Sequence, residues 1–194
     1  MPETPCQTVI VKPMEMKDVE QMSRWGLHED PLFLPYNFPY HDVREYILWF
    51  RSKRFLLRRY LFGAYLGDRM IGYITLKQIR WIKKEAFMGV SFDPNYIDQG
   101  YGTQAINLYL KLVFSKYPLK TIKLKTAIFN FRGQKSYEKV GFEPYETVFE
   151  PYEDQSQRFE LLLRYPYFQM VGEELWTEYI YMKIERETIM TPTE

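Results

Sequence analysis

The sequence has little of what indicates disulfides, metal chemistry or a membrane span. Its single cysteine, Cys6, excludes an internal disulfide framework and a paired-cysteine zinc site, and near the chain terminus it is a poor candidate nucleophile. Its two histidines, His28 and His41, are not spaced as metal ligands, so we expect no bound metal. Because no apolar run approaches the ~20 residues of a membrane helix and the N-terminus lacks signal-peptide features, we expect a cytoplasmic protein.

The chain also lacks an excess of charge of either sign. Its 26 Lys and Arg against 25 Asp and Glu give a net charge of +1, so we expect neither nucleic acid nor a membrane surface as a partner. One basic run contains no acidic residue, and we interpret it as the solvated end of a helix. This run consists of Arg51, Lys53, Arg54, Arg58 and Arg59.

Aromatic residues are what the sequence has in abundance: 18% of the chain, with 17 Tyr, 14 Phe and 4 Trp. This content excludes a disordered chain and predicts a large core. The length of 194 residues fits one domain, and neither a linker nor a repeat divides it. We therefore expect a single domain over residues 1–194.

Hydrophobic periodicity predicts an α/β fold with strands and helices in the order β-α-α-β-β-β-α-β-α-β-β. The predicted strands cover approximately residues 8–12, 60–66, 70–77, 86–92, 121–129, 142–149 and 176–185. The predicted helices are a short one at 16–25, one that begins after the N-cap Asp42, one over 106–114 and one over 131–140. The most regular helical pattern has apolar residues at Ile106, Tyr109, Leu110, Val113 and Phe114.

A glycine-containing loop, residues 93–103, joins a predicted strand to that regular helix. Its glycines, Gly100 and Gly102, suit either a tight turn or an anion held at a helix N-terminus. A nucleotide triphosphatase loop is excluded, because Thr103 stands where that loop requires lysine. The dinucleotide-binding pattern is disfavoured, because seven residues separate the strand from the first glycine and no acidic residue follows at the required distance.

A second motif, residues 130–142, begins after the next predicted strand. Its residues Asn130, Tyr137, Lys139, Gly141 and Phe142 match the pattern Asn-x-x-Ala/Ser-x-x-x-Tyr-x-Lys-x-Gly-Phe. Together with the glycine loop, which matches Gln/Arg-x-x-Gly-x-Gly/Ala at its glycines, this motif resembles the GNAT acyltransferase superfamily. The order of predicted elements is similar to that superfamily from residue 8 to about residue 149 and again in the last strand.

The resemblance implies a mixed, mostly antiparallel central sheet flanked by helices on both faces. It also implies an acetyl-CoA-dependent N-acetyltransferase, in which a primary amine of a small molecule or a peptide N-terminus attacks the acetyl group directly. A non-catalytic acyl-CoA-binding module is the alternative. The residues that the resemblance places at acetyl-CoA are Val90, Ser91, Phe92, Gln99, Gly100, Tyr101, Gly102, Thr103 and Asn130.

The resemblance also assigns the proton transfers. Tyr137 is the predicted general acid for the departing thiolate, with a packing role as the alternative among 17 tyrosines. Glu85 is the predicted general base, with a solvated turn carboxylate as the alternative, because Phe87 stands where the family usually has glutamate. Asp93, Glu146 and Glu150 are weaker candidates for the base.

The sequence departs from the family pattern in two places. Ile97 stands where the loop usually has Gln or Arg, which removes a side-chain contact to phosphate, and Asp98 adds a negative charge there. Residues 152–175 form an insertion between the last two strands, which we expect to act as a lid, to contact a second copy in a homodimer, or to pack over the sheet. We expect the acceptor between residues 32–40 and residues 152–170, both rich in aromatics.

Overall fold

A computed structural model describes residues 8–56 and 59–191 of the chain. In these residues eight strands form one sheet in the order β1-β2-β3-β4-β5-β8-β6, and β7 pairs with β8 beside this path. The strands are β1 (Val9–Pro13), β2 (Tyr60–Leu66), β3 (Arg69–Arg80), β4 (Glu85–Phe92), β5 (Thr121–Ala127), β6 (Glu143–Pro151), β7 (Phe168–Val171) and β8 (Glu174–Glu185). All neighbouring strands run antiparallel except β4 and β5, which are parallel.

Six α-helices accompany the sheet in the described part of the chain. They are α1 (Val19–Met22), α2 (Val43–Arg51), α3 (Tyr101–Lys116), α4 (Phe131–Val140), α5 (Arg158–Arg164) and α6 (Arg186–Met190). The predicted cap of α2 is confirmed, because the Asp42 carboxylate accepts hydrogen bonds from the Arg44 and Glu45 N–H groups. The predicted helix at 16–25 is shorter than expected, since only a 3₁₀ turn at Met16–Asp18 and α1 form there.

Helices cover both faces of the sheet, as the expected fold class requires. On one face, the apolar stripe of α3 is buried against strand residues such as Ile74, Leu76 and Met88. On the other face, Trp49 and Phe50 of α2 are buried with residues of α1 and of β2. The predicted mixed, mostly antiparallel sheet with helices on both faces is confirmed.

The insertion packs against one end of the sheet. It contains α5 and β7, neither of which the sequence predicts. Residues 165–167 join α5 to β7, and residues 172–173 join β7 to β8. Leu161 of α5 and Phe168 of β7 are buried together with Leu32 and Phe129. The insertion was expected to act as a lid, to contact a second copy or to pack over the sheet, and its buried side chains show packing.

The described part of the chain contains no helix long and apolar enough to span a bilayer. Within residues 8–56 and 59–191, no three His, Cys, Asp or Glu side chains converge in a way that could hold a metal ion. Cys6 and Arg58 lie outside the described residues. The single-domain organisation stays a prediction, which the continuity of one sheet from residue 9 to residue 185 supports.

Candidate active site

The parallel strands β4 and β5 separate partway along their length. They pair only from Glu85 opposite Thr121 to Phe87 opposite Lys123, and they diverge beyond that point. From residue 88 to residue 92, the backbone of β4 is paired with β3 on one side, while its other side has no strand neighbour among the described residues. A cleft of about 1080 Å³ opens here, lined by residues 87–92 of β4 and residues 124–127 of β5.

The glycine loop forms one wall of this cleft at the N-terminus of α3. Gly100 is the N-cap and has φ +81°, a left-handed conformation that favours glycine. The first N–H of α3 bonded within the helix is that of Gln104, which donates to the Gly100 carbonyl. The N–H groups of Tyr101, Gly102 and Thr103 therefore have no helical acceptor and carry the positive end of the helix dipole.

Gly102 indicates a ligand that approaches the backbone closely. A Cβ built at this position would lie 3.6 Å from the Phe92 ring, an ordinary contact, and its φ lies outside the left-handed region. Neither packing nor backbone conformation thus requires glycine here, whereas a side chain would extend into the cleft that Gly102 lines. The loop therefore fits the pyrophosphate of a CoA molecule, which helix N-termini bind through backbone N–H groups.

Helix α4 adds positive charge to the same end of the cleft. Arg132, Lys135 and Lys139 line it at a spacing that places them along one side of the helix. The Arg132 guanidinium lies 3.8 Å from the Asp98 carboxylate and offsets the negative charge that Asp98 brings to the loop. These three cations favour binding of the CoA phosphates. They compensate for the phosphate contact that is lost at Ile97 and for the negative charge of Asp98.

Asn130 and Tyr137, seven residues apart, both line the cleft from α4. Asn130 is the N-cap, and its Oδ1 accepts a hydrogen bond from the Gly133 N–H at 3.0 Å. Tyr137 is 8% exposed and packs edge-on against Phe142, with ring centroids 6.0 Å apart. Burial, with a smaller contribution from the Tyr36 hydroxyl, raises the pKa of Tyr137, so this hydroxyl keeps its proton at neutral pH.

Eight of the eleven predicted site residues line the cleft: Val90, Ser91, Phe92, Gly100, Gly102, Thr103, Asn130 and Tyr137. The other three do not line it. The Gln99 side chain donates to the Asn95 carbonyl, and the Tyr101 ring packs against Tyr96 at 6.2 Å. These two positions contribute to the loop through the backbone alone.

Glu85, the third residue outside the cleft, is engaged in ion pairs at the start of β4. Its carboxylate accepts from Lys123 at 2.6 Å and from Arg80 at 3.2 Å. The Lys123 hydrogen bond, followed by the charges of Lys123 and Arg80, holds the pKa of Glu85 below its usual value. Four strand residues, roughly 13 Å, separate Glu85 from Gly89 in the open part of β4. The role of Glu85 as base stays a prediction, and its position gives that role no support.

Aromatic side chains line the part of the cleft on the α2 side of the sheet, opposite the face that α3 covers, and we call this part the aromatic end. Tyr73 of β3 stacks with Trp25 at 6.3 Å and meets Trp49 edge-on at 5.4 Å. The other rings that line this end are those of Tyr36, Phe38, Tyr40, Phe87, Tyr152 and Tyr179. Burial and the nearby Glu153 carboxylate raise the pKa of Tyr36 to about 12. Residues 35–40 thus line the cleft as expected, but of the insertion only residues 152–154 do so.

Asp93, a weaker candidate for the general base in the sequence, links the segment after α1 to the start of the glycine loop. It is completely buried at the end of β4, and its Oδ1 accepts from the Gly26 N–H at 2.9 Å and the Asn95 N–H at 3.0 Å. Its Oδ2 lies 3.5 Å from the Arg69 guanidinium. Asp93 therefore holds the segment after α1 against the start of the glycine loop, and it does not line the cleft.

The structure also corrects the interpretation of the basic run as a solvated helix end. Lys53 and Arg59 are half-buried and line the aromatic end of the cleft, together with Lys77 of β3. Sequence reasoning missed this group because it treated Lys53 and Arg59 as solvated and gave no sign that Lys77, on strand β3, lies beside them. The only local signal is that Lys77 follows Tyr73 and Thr75 at the strand spacing of two, on the same face of β3.

Comparisons with known proteins agree with this architecture. In sequence, residues 8–143 match the family described as the acetyltransferase (GNAT) domain. No curated protein matches the sequence significantly. In structure, the chain is similar to spermidine N-acetyltransferase from Vibrio cholerae in complex with CoA and spermine, with a TM-score of 0.71, 16% identity, and 95% of this chain and 99% of that chain covered.

A manganese-bound structure of spermidine/spermine N-acetyltransferase from Vibrio cholerae is also similar, with a TM-score of 0.66, 17% identity, and 96% of this chain and 98% of that chain covered. At such low identity the two structures show a shared fold. The sequence match covers well over half of the chain, and it disfavours the alternative of a non-catalytic binding module. The chain therefore belongs to the GNAT acetyltransferase family and is an acetyl-CoA-dependent N-acetyltransferase that acts on a primary amine.

Proposed function

We propose that the transfer takes place where β4 separates from β5, with acetyl-CoA entering from the glycine loop and the amine from the aromatic end. One observation carries this proposal. The same cleft is lined by the α3 N-terminus and Tyr137 on one face of the sheet and by the rings around Tyr73 on the other face. The acceptor is a small-molecule amine or a peptide N-terminus. Because both present a primary amine, the chemistry at the thioester is the same for either one.

The glycine loop and α4 bind the phosphates in this proposal. The N–H groups of Gly102 and Thr103 donate to the pyrophosphate, and Arg132 and the two α4 lysines supply countercharge. The unpaired edge of β4 holds the pantetheine arm as an added strand would, and an N–H near Val90 donates to the thioester carbonyl oxygen. Acetyl-CoA supplies the acetyl group: the amine nitrogen bonds to the acetyl carbon and gives up one proton to solvent, and the carbon–sulfur bond breaks. The sulfur takes a proton from Tyr137, which solvent then reprotonates, and CoA leaves as the thiol.

Tyr137 supplies the proton in this proposal. Its hydroxyl is protonated at neutral pH because burial raises its pKa, and its side chain lines the cleft that opens between β4 and β5. A protonated hydroxyl at this point donates to the sulfur as negative charge develops there. The ring is held by its contact with Phe142, so the hydroxyl is positioned before the substrates bind.

A thiol-release assay tests the proposal. The purified chain is given acetyl-CoA and, in separate reactions, spermidine, phenethylamine, phenylalanine and a short peptide with a free N-terminus. We expect saturable thiol release with at least one of these amines and a rise in the melting temperature on addition of acetyl-CoA, since binding to the folded state stabilises it. Absence of both effects at saturating acetyl-CoA would contradict the proposal.

Three further expectations stay predictions. They are the cytoplasmic location, the homodimer, and the absence of nucleic acid among the partners. Light scattering on the purified chain measures its oligomeric state, and a monomer at micromolar concentration would contradict the homodimer.

A further inference from the structure

Three cations converge at the aromatic end of the cleft. The Lys77 ammonium extends toward the open part of β4, where its Nζ lies 3.6 Å from the position that a Cβ on Gly89 would occupy. Arg59 immediately precedes Tyr60, which pairs with Leu76 across β2 and β3, so Arg59 lies beside Lys77. Lys53 follows α2 and joins them in lining the cleft.

These cations have no carboxylate partner. Among the ion pairs of the described residues, none involves Lys53, Arg59 or Lys77. Lys53 instead lies over the Trp49 ring, with its Nζ 6.0 Å from the centroid. Half-buried cations without a counterion are costly, and they repel one another when they share a cleft.

The acidic residues at this end offset only part of this charge, although the Glu153 carboxylate favours the charged forms of Lys53 and Lys77. Glu153 and Asp154 line the cleft here, but the Glu153 carboxylate is 70% exposed and lies 3.4 Å from Lys125. Lys125 in turn donates to Glu150 at 2.6 Å. With Lys125 included, four cations and two carboxylates line this end, which leaves an excess of positive charge.

The electrostatics of two of the cations agree with this count. Burial lowers the pKa of Lys77, and the next contribution is repulsion by Arg59. The same two causes, in the same order, lower the pKa of Lys53. A bound anion would favour the charged form of both amines and relieve the repulsion.

The position of the group separates it from the phosphates of CoA. Lys77 pairs with Phe87 in the β3–β4 register, whereas the glycine loop begins beyond Phe92 at the other end of β4. Five strand residues correspond to roughly 17 Å. Arg132 and the two α4 lysines already serve the loop end, so the group at Lys77 is available to the acceptor.

We propose that the amine acceptor of this enzyme carries an anionic group, a carboxylate or a phosphate, which Lys53, Arg59 and Lys77 bind while the surrounding rings hold its apolar part. The inference rests on the proposed function, because it assigns this end of the cleft to the acceptor. It distinguishes this chain from an enzyme for polycations, since a polyamine would meet an excess of positive charge here.

Matched acceptors test the charge preference. Phenylalanine and phenethylamine share a ring and an amine and differ in the carboxylate, while O-phosphoethanolamine and ethanolamine differ in the phosphate. We expect kcat/KM to be roughly 10-fold or more higher for the charged member of at least one pair, since hydrogen bonds to charged groups are the stronger ones. The pair that shows the preference identifies the anion. The same member should raise the melting temperature of the CoA-saturated chain more than its partner does.

Variants of the chain separate binding of the acceptor from effects on the amine itself. In Lys77→Gln and in Arg59→Gln, kcat/KM for the preferred anionic acceptor should fall roughly 10-fold, mainly because KM rises. The kcat/KM for the uncharged analogue should change less than about 3-fold. Lys53→Gln should show the same changes in kcat/KM. Because Lys53 lies outside the sheet, this variant tests the inference even if Lys77→Gln folds poorly. Lys111→Gln, on the exposed side of α3, is the matched control and should change neither.

Three results would overturn the inference while leaving the acetyltransferase intact. The first is a kcat/KM for an uncharged analogue or for spermidine that equals or exceeds that of the anionic acceptors. The second is an equal loss of kcat/KM for both members of a pair in the variants. The third is weaker CoA binding in the variants, which would assign the cations to CoA. Absence of thiol release with every probe would instead contradict the proposed function, and the inference with it.

Discussion

The buried carboxylate of Asp93 offers the sharpest test of how the cleft is built. In Asp93→Ala, the N–H groups of Gly26 and Asn95 lose the fully buried carboxylate that they share as acceptor at 2.9 and 3.0 Å. Each lost hydrogen bond to a charged acceptor costs about 1.5–3 kcal/mol. The Arg69 contact at 3.5 Å adds little, because that guanidinium is half exposed.

The free energy of unfolding should therefore fall by about 2–5 kcal/mol in Asp93→Ala. Urea denaturation measures it, with an unchanged m-value as the sign that the folded and unfolded states expose similar surface. In a thermal scan the loss corresponds to roughly 5–15 °C for a domain of this size. Because Asp93 anchors the start of the glycine loop, the affinity for CoA should also fall.

Asp98→Asn is the matched control for this variant, because asparagine also tolerates the left-handed φ of +60° at this position. Its carboxylate is 70% exposed and lies 3.8 Å from Arg132, so its removal should change the free energy of unfolding by less than about 0.5 kcal/mol. A loss in Asp93→Ala that is no larger than in the control would refute the reasoning, because the buried hydrogen bonds would then contribute nothing.

Three further predictions concern the reaction and its supporting residues. Tyr137→Phe should lower kcat about 100-fold and leave CoA affinity unchanged, whereas Tyr145→Phe on β6 should change neither kcat nor CoA affinity; equal rates for both variants would remove the role of Tyr137 as acid. Gly102→Val should weaken CoA binding at least ~10-fold, as calorimetry would show, and preserve the melting temperature, since its Cβ meets only Phe92 at 3.6 Å; normal affinity would contradict the loop as the phosphate site. In Glu85→Gln, kcat should persist, while the free energy of unfolding at pH 7 should fall below that of the unaltered chain. This difference in unfolding free energy should shrink as the pH drops below 4.5, because a carboxylate with a lowered pKa stabilises the fold only while it is ionised. A large loss of kcat with an unchanged free energy of unfolding would support the base role instead.

Local patterns in the sequence predicted most of the fold correctly. The stripe from Ile106 to Phe114 spans more than two helical turns, so its period is unambiguous, and all five of its residues are buried. The capping residues Asp42 and Asn130 act through contacts two or three residues away, which the sequence displays directly. The glycine loop was identifiable for the same reason.

The insertion shows where such patterns end. Helix α5 has seven residues and β7 has four, too few to establish a period, and tertiary contacts decide their structure. Leu161 and Phe168 are buried by contact with Leu32 and Phe129, which lie far away in the sequence. From sequence alone, such a segment is predicted to be a loop, because the residues that pack against it are distant in the sequence.

The charged groups of the site were missed for a related reason. Asp93 holds Gly26, 67 residues away, and no local spacing indicates that pairing. Lys53, Arg59 and Lys77 come together only through the end of α2 and the register of β2 on β3. A near-neutral net charge conceals such a group, because charge sums over the whole chain while binding depends on charge at one point.

The product stoichiometry tests the account most directly. The chain is incubated with acetyl-CoA and a primary amine that supports thiol release, and free CoA and N-acetylated amine are quantified together by mass spectrometry. We expect the two products in equal amounts, and we expect Tyr137→Phe to slow the formation of both to the same extent. Release of CoA without acetylated amine, or equal product formation by the variant and the unaltered chain, would contradict it.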